Sequence, residues 1–172
     1  VIANLWFIVV SMFTGISQGM QPIMSHNYGK GKYGNVNKIL KYGLILMGTF
    51  AAAIYAVMFF GSEYVAAIFN SEHNETLQYI AEEGLKLYYI ACPFVGFNII
   101  ISIFFTSTEY PVPAHIISIL RGFALIIPMA FIMLFAGGRI GLWMAFPVTE
   151  MIVTVIGIIL YIMRNRKLKE HI

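Results

Sequence analysis

The chain has 172 residues, 59% of them hydrophobic and only 11% charged, with a mean hydropathy of +0.79, which excludes an ordinary soluble domain and points to an integral membrane protein. Its single cysteine, Cys92, excludes a disulfide framework. The net charge of +3 marks no nucleic-acid surface, because the lysines flank apolar stretches and do not lie on an aromatic-interleaved face.

A hydrocarbon core of about 30 Å needs roughly 20 apolar residues per helix. Five stretches meet that requirement, at about 2–24, 43–68, 84–105, 113–136 and 140–162. The predicted fold class is therefore all-α, a polytopic transmembrane helix bundle. The chain begins at Val1 directly on an apolar helix, with neither the basic start nor the small-residue cleavage site of a signal peptide. It reads as the cut edge of a longer protein.

The first span is apolar to residue 13 apart from Asn4 and Ser11, and then carries Gln18, Gln21, Pro22, Ser25, His26 and Asn27 before Gly29. Gln18, Gln21, Ser25 and Pro22 recur at three- and four-residue spacing and share one side of the helix. Lipid does not tolerate so many hydrogen-bonding groups on a face of its own, so that side is expected to meet protein or a watered cavity. The connection 29–42 holds Lys30, Lys32, Lys38 and Lys41 without an acid. Segment 61–83, after the second span, holds Glu63, Glu72, Glu75, Glu82 and Glu83 without a lysine or arginine, and Ser71 with Asn74 and Glu75 predicts a helix start there. The third span bears Asn98 and an aromatic load that includes Tyr88, Tyr89, Phe97, Phe104 and Phe105. The fourth carries Arg121 about two turns in, and the fifth carries Pro147 and Glu150. Prolines at 22, 93, 128 and 147 allow bending where neighbours or water satisfy the freed carbonyls.

Lysine and arginine mark the cytoplasmic side. Loop 29–42 and the C-terminal tail, with Arg164, Arg166, Lys167 and Lys169, are thus expected inside the cell, and 61–83 outside. An odd number of spans then starts the chain outside.

Residues Gly15, Gln18, Pro22, Asn27, Tyr28 and Gly29 match a G-x-x-Q-x-x-x-P…N-Y-G segment, in which the chain resembles the multidrug and toxic compound extrusion (MATE) transporters, above all their MepA-like branch. The likeness continues along the chain. Segment 92–109 resembles a later span through Pro93, Phe94, Gly96 and Asn98, and segment 113–128 the next through Ser118, Leu120, Arg121 and Pro128. Segment 141–150 resembles the last span through Gly141, Trp143, Ala145, Pro147 and Glu150. Their order implies that residues 1–172 are part of the C-terminal lobe, spans eight to twelve of a twelve-span transporter. Two departures stand out: Glu109 replaces a usual loop glycine, and the third span lacks the carboxylate that some branches tie to cation coupling.

Intramembrane polar residues are costly and mark candidate sites. Glu150 lies about 16 Å from the outer end of its span at 1.5 Å per residue, and it reads either as a cavity acid for cationic substrates or protons or as a structural acid. Arg121 cannot lose its proton, and antiparallel packing of spans four and five makes Glu150 a possible partner. Gln18, Gln21 and Asn98 are neutral groups able to hydrogen-bond a substrate, or one helix to another. Gln18, Gln21, Asn98 and Glu150 are therefore candidate substrate-binding residues, and Pro22, Asn27, Gly29, Arg121 and Pro147 candidate structural or gating ones. No metal site is expected, since His26 has no second ligand at suitable spacing. Gly29-Lys30-Gly31-Lys32 lacks the strand and Gly-Lys-Ser/Thr of a P-loop, and no nucleophile–base pair supports an enzyme.

The resemblance implies part of a secondary active multidrug antiporter of the bacterial inner membrane, without a cofactor. It implies export of organic cations and other amphipathic compounds, driven by inward flow of protons or sodium ions. The partners implied are the substrates, the bilayer and an N-terminal lobe of the same protein. Two alternatives remain open at this point: a lipid-linked oligosaccharide flippase of the same superfamily, and a five-span structural subunit that transports nothing.

Overall fold

The computed structural model describes residues 2–70 and 74–170, all of them in helices or the turns between them. Helix α1 spans Ile2–Gly29 and α2 spans Tyr33–Phe60. A short helix α3, Ser62–Phe69, lies beyond the end of α2 and leads towards α4, Glu75–Tyr88. A 3-10 turn at Tyr89–Ala91 joins α4 to α5, Cys92–Ser107. Helix α6, Pro111–Ile119, passes through a π-turn at Leu120–Ala124 into α7, Ile126–Glu170.

Helix α7 is two helices in one run. Gly138 interrupts it at φ 55°, ψ −133°, a conformation that a residue with a Cβ rarely adopts. Were 126–170 straight, Arg121 and Glu150 would stand about 43 Å apart at 1.5 Å per residue. They are 2.8 Å apart, so the chain reverses at Gly138. Gly141 seats itself directly against the backbone of Met133 across this reversal, where a Cβ would collide. The bundle thus crosses five times, in α1, α2, α4–α5, α6–α7 as far as 137, and 139 onward.

Two of the other turns are set by left-handed residues. Gly31, at φ 68°, lets Lys32 N–H donate to the Asn27 carbonyl (2.9 Å), closing the end of α1. Glu109, at φ 57°, does the same for α5, with Tyr110 N–H donating to the Phe105 carbonyl (3.0 Å). Glycine adopts this conformation without the Cβ penalty that Glu109 carries.

Helix α5 is the hub. It packs against α1, α2, α6 and α7, and Cys92, Val95, Gly96, Asn98, Ile100, Ile101, Phe104, Phe105 and Ser107 are all buried along it. A helix apolar on every side must be surrounded. The most apolar window of α4–α5 is accordingly 56% buried, against 17–28% for the other long helices, whose outer faces are left for lipid or further protein. Pro93 explains the step between α4 and α5: it lacks an N–H for the Tyr89 carbonyl, and the chain tightens into a 3-10 turn just before it.

The structure moves two expected boundaries. The second helix begins at Tyr33 and not near residue 43, so Lys38 and Lys41 stand on its first turns, and the turn after α1 is only residues 30–32. Hydropathy marks where a helix meets hydrocarbon, whereas hydrogen bonding carries the helix on into the polar zone. Residues 62–68, expected within that same span, belong to the separate α3. The helix start expected near residue 71 falls on Asn74, whose side chain accepts from Leu77 N–H (3.1 Å). Ser71 and Glu72 lie outside the described residues.

Candidate functional site

The polar residues gather in two places. One is the interior of the bundle, where spans three, four and five meet. Glu150, 1% exposed, projects from α7 towards Asn98 of α5, which is fully buried. Its Oε1 accepts from Arg121 Nε at 2.8 Å and its Oε2 from Asn98 Nδ2 at 2.8 Å. The same Asn98 amide also reaches the Glu150 carbonyl oxygen at 3.1 Å. The Thr154 hydroxyl completes the cluster, 2.8 Å from that carbonyl and 3.2 Å from Asn98 Oδ1. Both carboxylate oxygens are engaged, and the charge is matched by a guanidinium whose side chain is 22% exposed. This satisfies the rule that a buried ion pair is tolerated only when its remaining lone pairs are also bonded.

The π-turn positions Arg121. Leu125 N–H donates to the Leu120 carbonyl (3.0 Å), five residues back, which widens the helix at Arg121 and shifts the following face. Pro128 adds to the irregularity, as its missing N–H leaves the Ala124 carbonyl without a helical donor. Arg121 and Glu150, read from the sequence as possible partners, are joined. Asn98 and Glu150, read as substrate contacts, face each other inside the bundle, and only a separation of these helices would open them to a ligand. Pro147 is buried one turn before Glu150. Sequence reasoning missed Thr154 and the bond between Asn98 and Glu150. Thr154 stands four residues after Glu150, on its face of the helix, and that spacing was the available signal.

The second place is the surface of α1. Asn4, Ser11, Gly15, Gln18, Pro22, Ser25 and Gly29 share one face, at a seven-residue step from Asn4 to Ser11 and three- and four-residue steps thereafter, and every one is exposed. Gln21 at the edge of this stripe is half-buried, and its carbonyl lies 3.5 Å from Ser107 Oγ on α5. Pro22 cannot donate to the Gln18 carbonyl, so a freed backbone acceptor joins the Gln18 amide on the same stripe. Asn27 is turned to a different task. Its Nδ2 donates to the Ile23 carbonyl (2.9 Å) and its Oδ1 accepts from Asn35 of α2 (3.1 Å), pinning the corner between the helices. Gly29 is the last residue of α1, and the positive φ belongs to Gly31.

The aromatic residues serve packing. Trp6 meets Tyr88 and Phe146 edge-on at 5.4 and 5.1 Å, and Tyr88 stacks on Phe146 at 4.7 Å. Phe104 lies against Tyr161 at 5.4 Å and beneath the Arg164 guanidinium at 4.8 Å. No group of three or more His, Cys, Asp or Glu side chains suited to a metal ion occurs among the described residues.

Five apolar helical crossings around a buried ion pair define a multi-pass membrane protein of the helical-bundle class. A family model described as MatE matches residues 1–132, more than half of the chain, and the chain belongs to that family. Its fold resembles a solved structure described as the inward-facing conformation of a multidrug resistance MATE family transporter of the MOP superfamily, with a TM-score of 0.87 at 17% identity. The match covers 95% of this chain and 38% of that one, so the chain spans well under half of the solved transporter. A comparison with curated proteins finds no match.

Proposed function

We propose that residues 1–172 form part of the C-terminal lobe of a secondary active multidrug antiporter of the MepA-like branch. In this reading the lobe joins an N-terminal lobe to enclose a cavity that accepts amphipathic or cationic small molecules, with protons or sodium ions as the driving flow. The observation that carries it is the exposed stripe on α1. Seven polar, small or helix-bending residues along a helix about 42 Å long are unsuited to lipid, and the five-helix body leaves them uncovered. A solved transporter of which this chain spans 38% has more protein to place there.

Gln18 and Gln21 are the substrate contacts in this proposal. Their neutral amides bond varied ligands without fixing a charge. Asn98 and Glu150 contribute indirectly: with Arg121 they hold spans three, four and five as one body that moves together. Pro22 and Pro147 supply the bends, and the lysine-bearing end faces the cytoplasm. The satisfied ion pair also weighs against the flippase alternative, since Arg121 is already neutralised by Glu150 and is not free to meet a pyrophosphate.

The test uses the full-length protein in cells, with ethidium efflux as the readout. Gln18→Ala lowers efflux several-fold at unchanged membrane abundance. Ile23→Ala, also exposed but about 140° around the helix at 100° per residue, leaves it near wild type. Equal effects of the two would end the cavity assignment.

A further inference from the structure

We propose that a groove on the outside of the bundle, between α2, α5 and the last part of α7, is a binding site for an anionic phospholipid, with one acyl chain in the groove and the phosphodiester at Lys41. The groove encloses about 340 Å³. Its floor and walls are hydrocarbon and aromatic: Leu44 and Ile45 of α2, Phe97 and Ile101 of α5, Ile158 of α7. A hollow of that size and lining does not stay wet and is too large to stay empty. In a membrane, hydrocarbon is what fills it.

Charge decides which hydrocarbon. Polar atoms enter the lining at one end only, with Asn37 and Lys41 on α2 and Tyr161 on α7. Lys41 is exposed and forms no ion pair among the described residues. One turn beyond Tyr161 stands Arg164, 8% exposed, its guanidinium fixed over Phe104, the ring that also packs on Tyr161. Arg164 likewise has no carboxylate partner among the described residues. The helix topology puts Glu63, Glu75, Glu82 and Glu83 at the opposite end of the bundle; Glu109, in the turn after α5, stands at the lysine end and pairs with neither cation. An apolar slot with an unmatched lysine on its rim, and Arg164 one turn beyond its lining, fits a lipid with a negative headgroup. A cationic amphiphile would be repelled there, a zwitterionic lipid would fill the slot but bring its own ammonium beside Lys41, and a soluble anion would leave the slot unfilled. No residue of α1 lines the groove, so it is separate from the stripe assigned to transport.

The experiment is native mass spectrometry of the purified full-length protein, given equimolar phosphatidylglycerol and phosphatidylethanolamine with identical acyl chains. The wild type retains phosphatidylglycerol in preference, by about fivefold for one lysine near the headgroup plane. Lys41→Gln, a change at an exposed side chain, brings the ratio close to one. Ile158→Trp fills the slot and lowers retention of both lipids. Glycerol phosphate, which has the anion without the chains, displaces nothing. Equal retention of the two lipids by the wild type overturns the proposal. So does a ratio that Lys41→Gln leaves unchanged, or displacement by glycerol phosphate, which would make the site one for a soluble anion.

Discussion

Glu150 is held by a guanidinium on one oxygen and an amide on the other, and this difference predicts how its substitutions behave. Glu150→Gln keeps the shape and the Asn98 contact but strands Arg121, and breaking a buried pair costs about 3–5 kcal/mol. The residual exposure of Arg121 lets it turn towards water and recover part of that. Arg121→Met leaves Glu150 its bond from Asn98 and removes the more exposed partner, so it is the milder single change. The double variant Arg121→Met with Glu150→Gln is expected to recover most of the melting temperature lost by Glu150→Gln alone. A thermal shift in detergent across the four proteins measures the coupling, and additive losses would show that the pair contributes nothing as a pair. Glu109 permits a simpler forecast. At φ 57° it carries a left-handed penalty of about 1–2 kcal/mol that glycine escapes. Glu109→Gly is therefore expected to raise the melting temperature, with the unchanged C-cap bond from Tyr110 to Phe105 preserving the turn.

Among the elements, sequence legibility followed hydrocarbon contact. The five apolar stretches were visible because lipid imposes a length and a composition. The start of α2 at Tyr33 was not, because residues 33–42 are helical through local hydrogen bonding and no apolar run marks them. The π-turn at Leu120–Ala124 was also hidden, since one extra residue in a turn leaves no compositional trace. The reversal within 126–170 was foreseen from a short polar break, and the structure reduces it to one dihedral pair at Gly138. That concentration makes the hairpin sensitive to a single methyl group. Gly138→Ala forces a Cβ into a region open mainly to glycine, at a cost of about 1–3 kcal/mol, and is expected to lower both yield and melting temperature. Gly137→Ala is the matched control: its Cβ would meet nothing within 4 Å and its φ is not positive. Similar losses at 137 and 138 would mean that the strain does not reside in the Gly138 backbone.

At the scale of the whole molecule, the α1 stripe was legible as a face unfit for lipid, and its exposure follows because the helices it packs on all touch its other sides. The bond between Asn98 and Glu150 was not legible, since its two residues lie 52 positions apart and only the packed register of α5 on α7 brings them together. Charge distribution carries the remaining whole-molecule argument. Five crossings put Lys30, Lys32, Lys38, Lys41, Arg164 and Arg166 at one end. The other end has Glu63, Glu75, Glu82 and Glu83, with Arg139 at the Gly138 turn paired to Glu83 at 3.0 Å. Glu83 neutralises Arg139, and Lys86 is a further base one turn after these acids, while Glu109 is an acid at the lysine end; the two ends still differ in sign. Positively charged segments are retained on the cytoplasmic side, and the expected orientation therefore has Lys32 inside and Glu75 outside. Lys32→Cys and Glu75→Cys in the full-length protein, probed in intact cells with a membrane-impermeant maleimide, test it. Both positions are exposed and the native Cys92 is buried, so background from the native thiol is low. Reaction at position 75 in intact cells, with position 32 reacting only after permeabilisation, is the expected result. The opposite pattern would invert the protein in the membrane and would move the lipid groove at Lys41 to the outer leaflet with it.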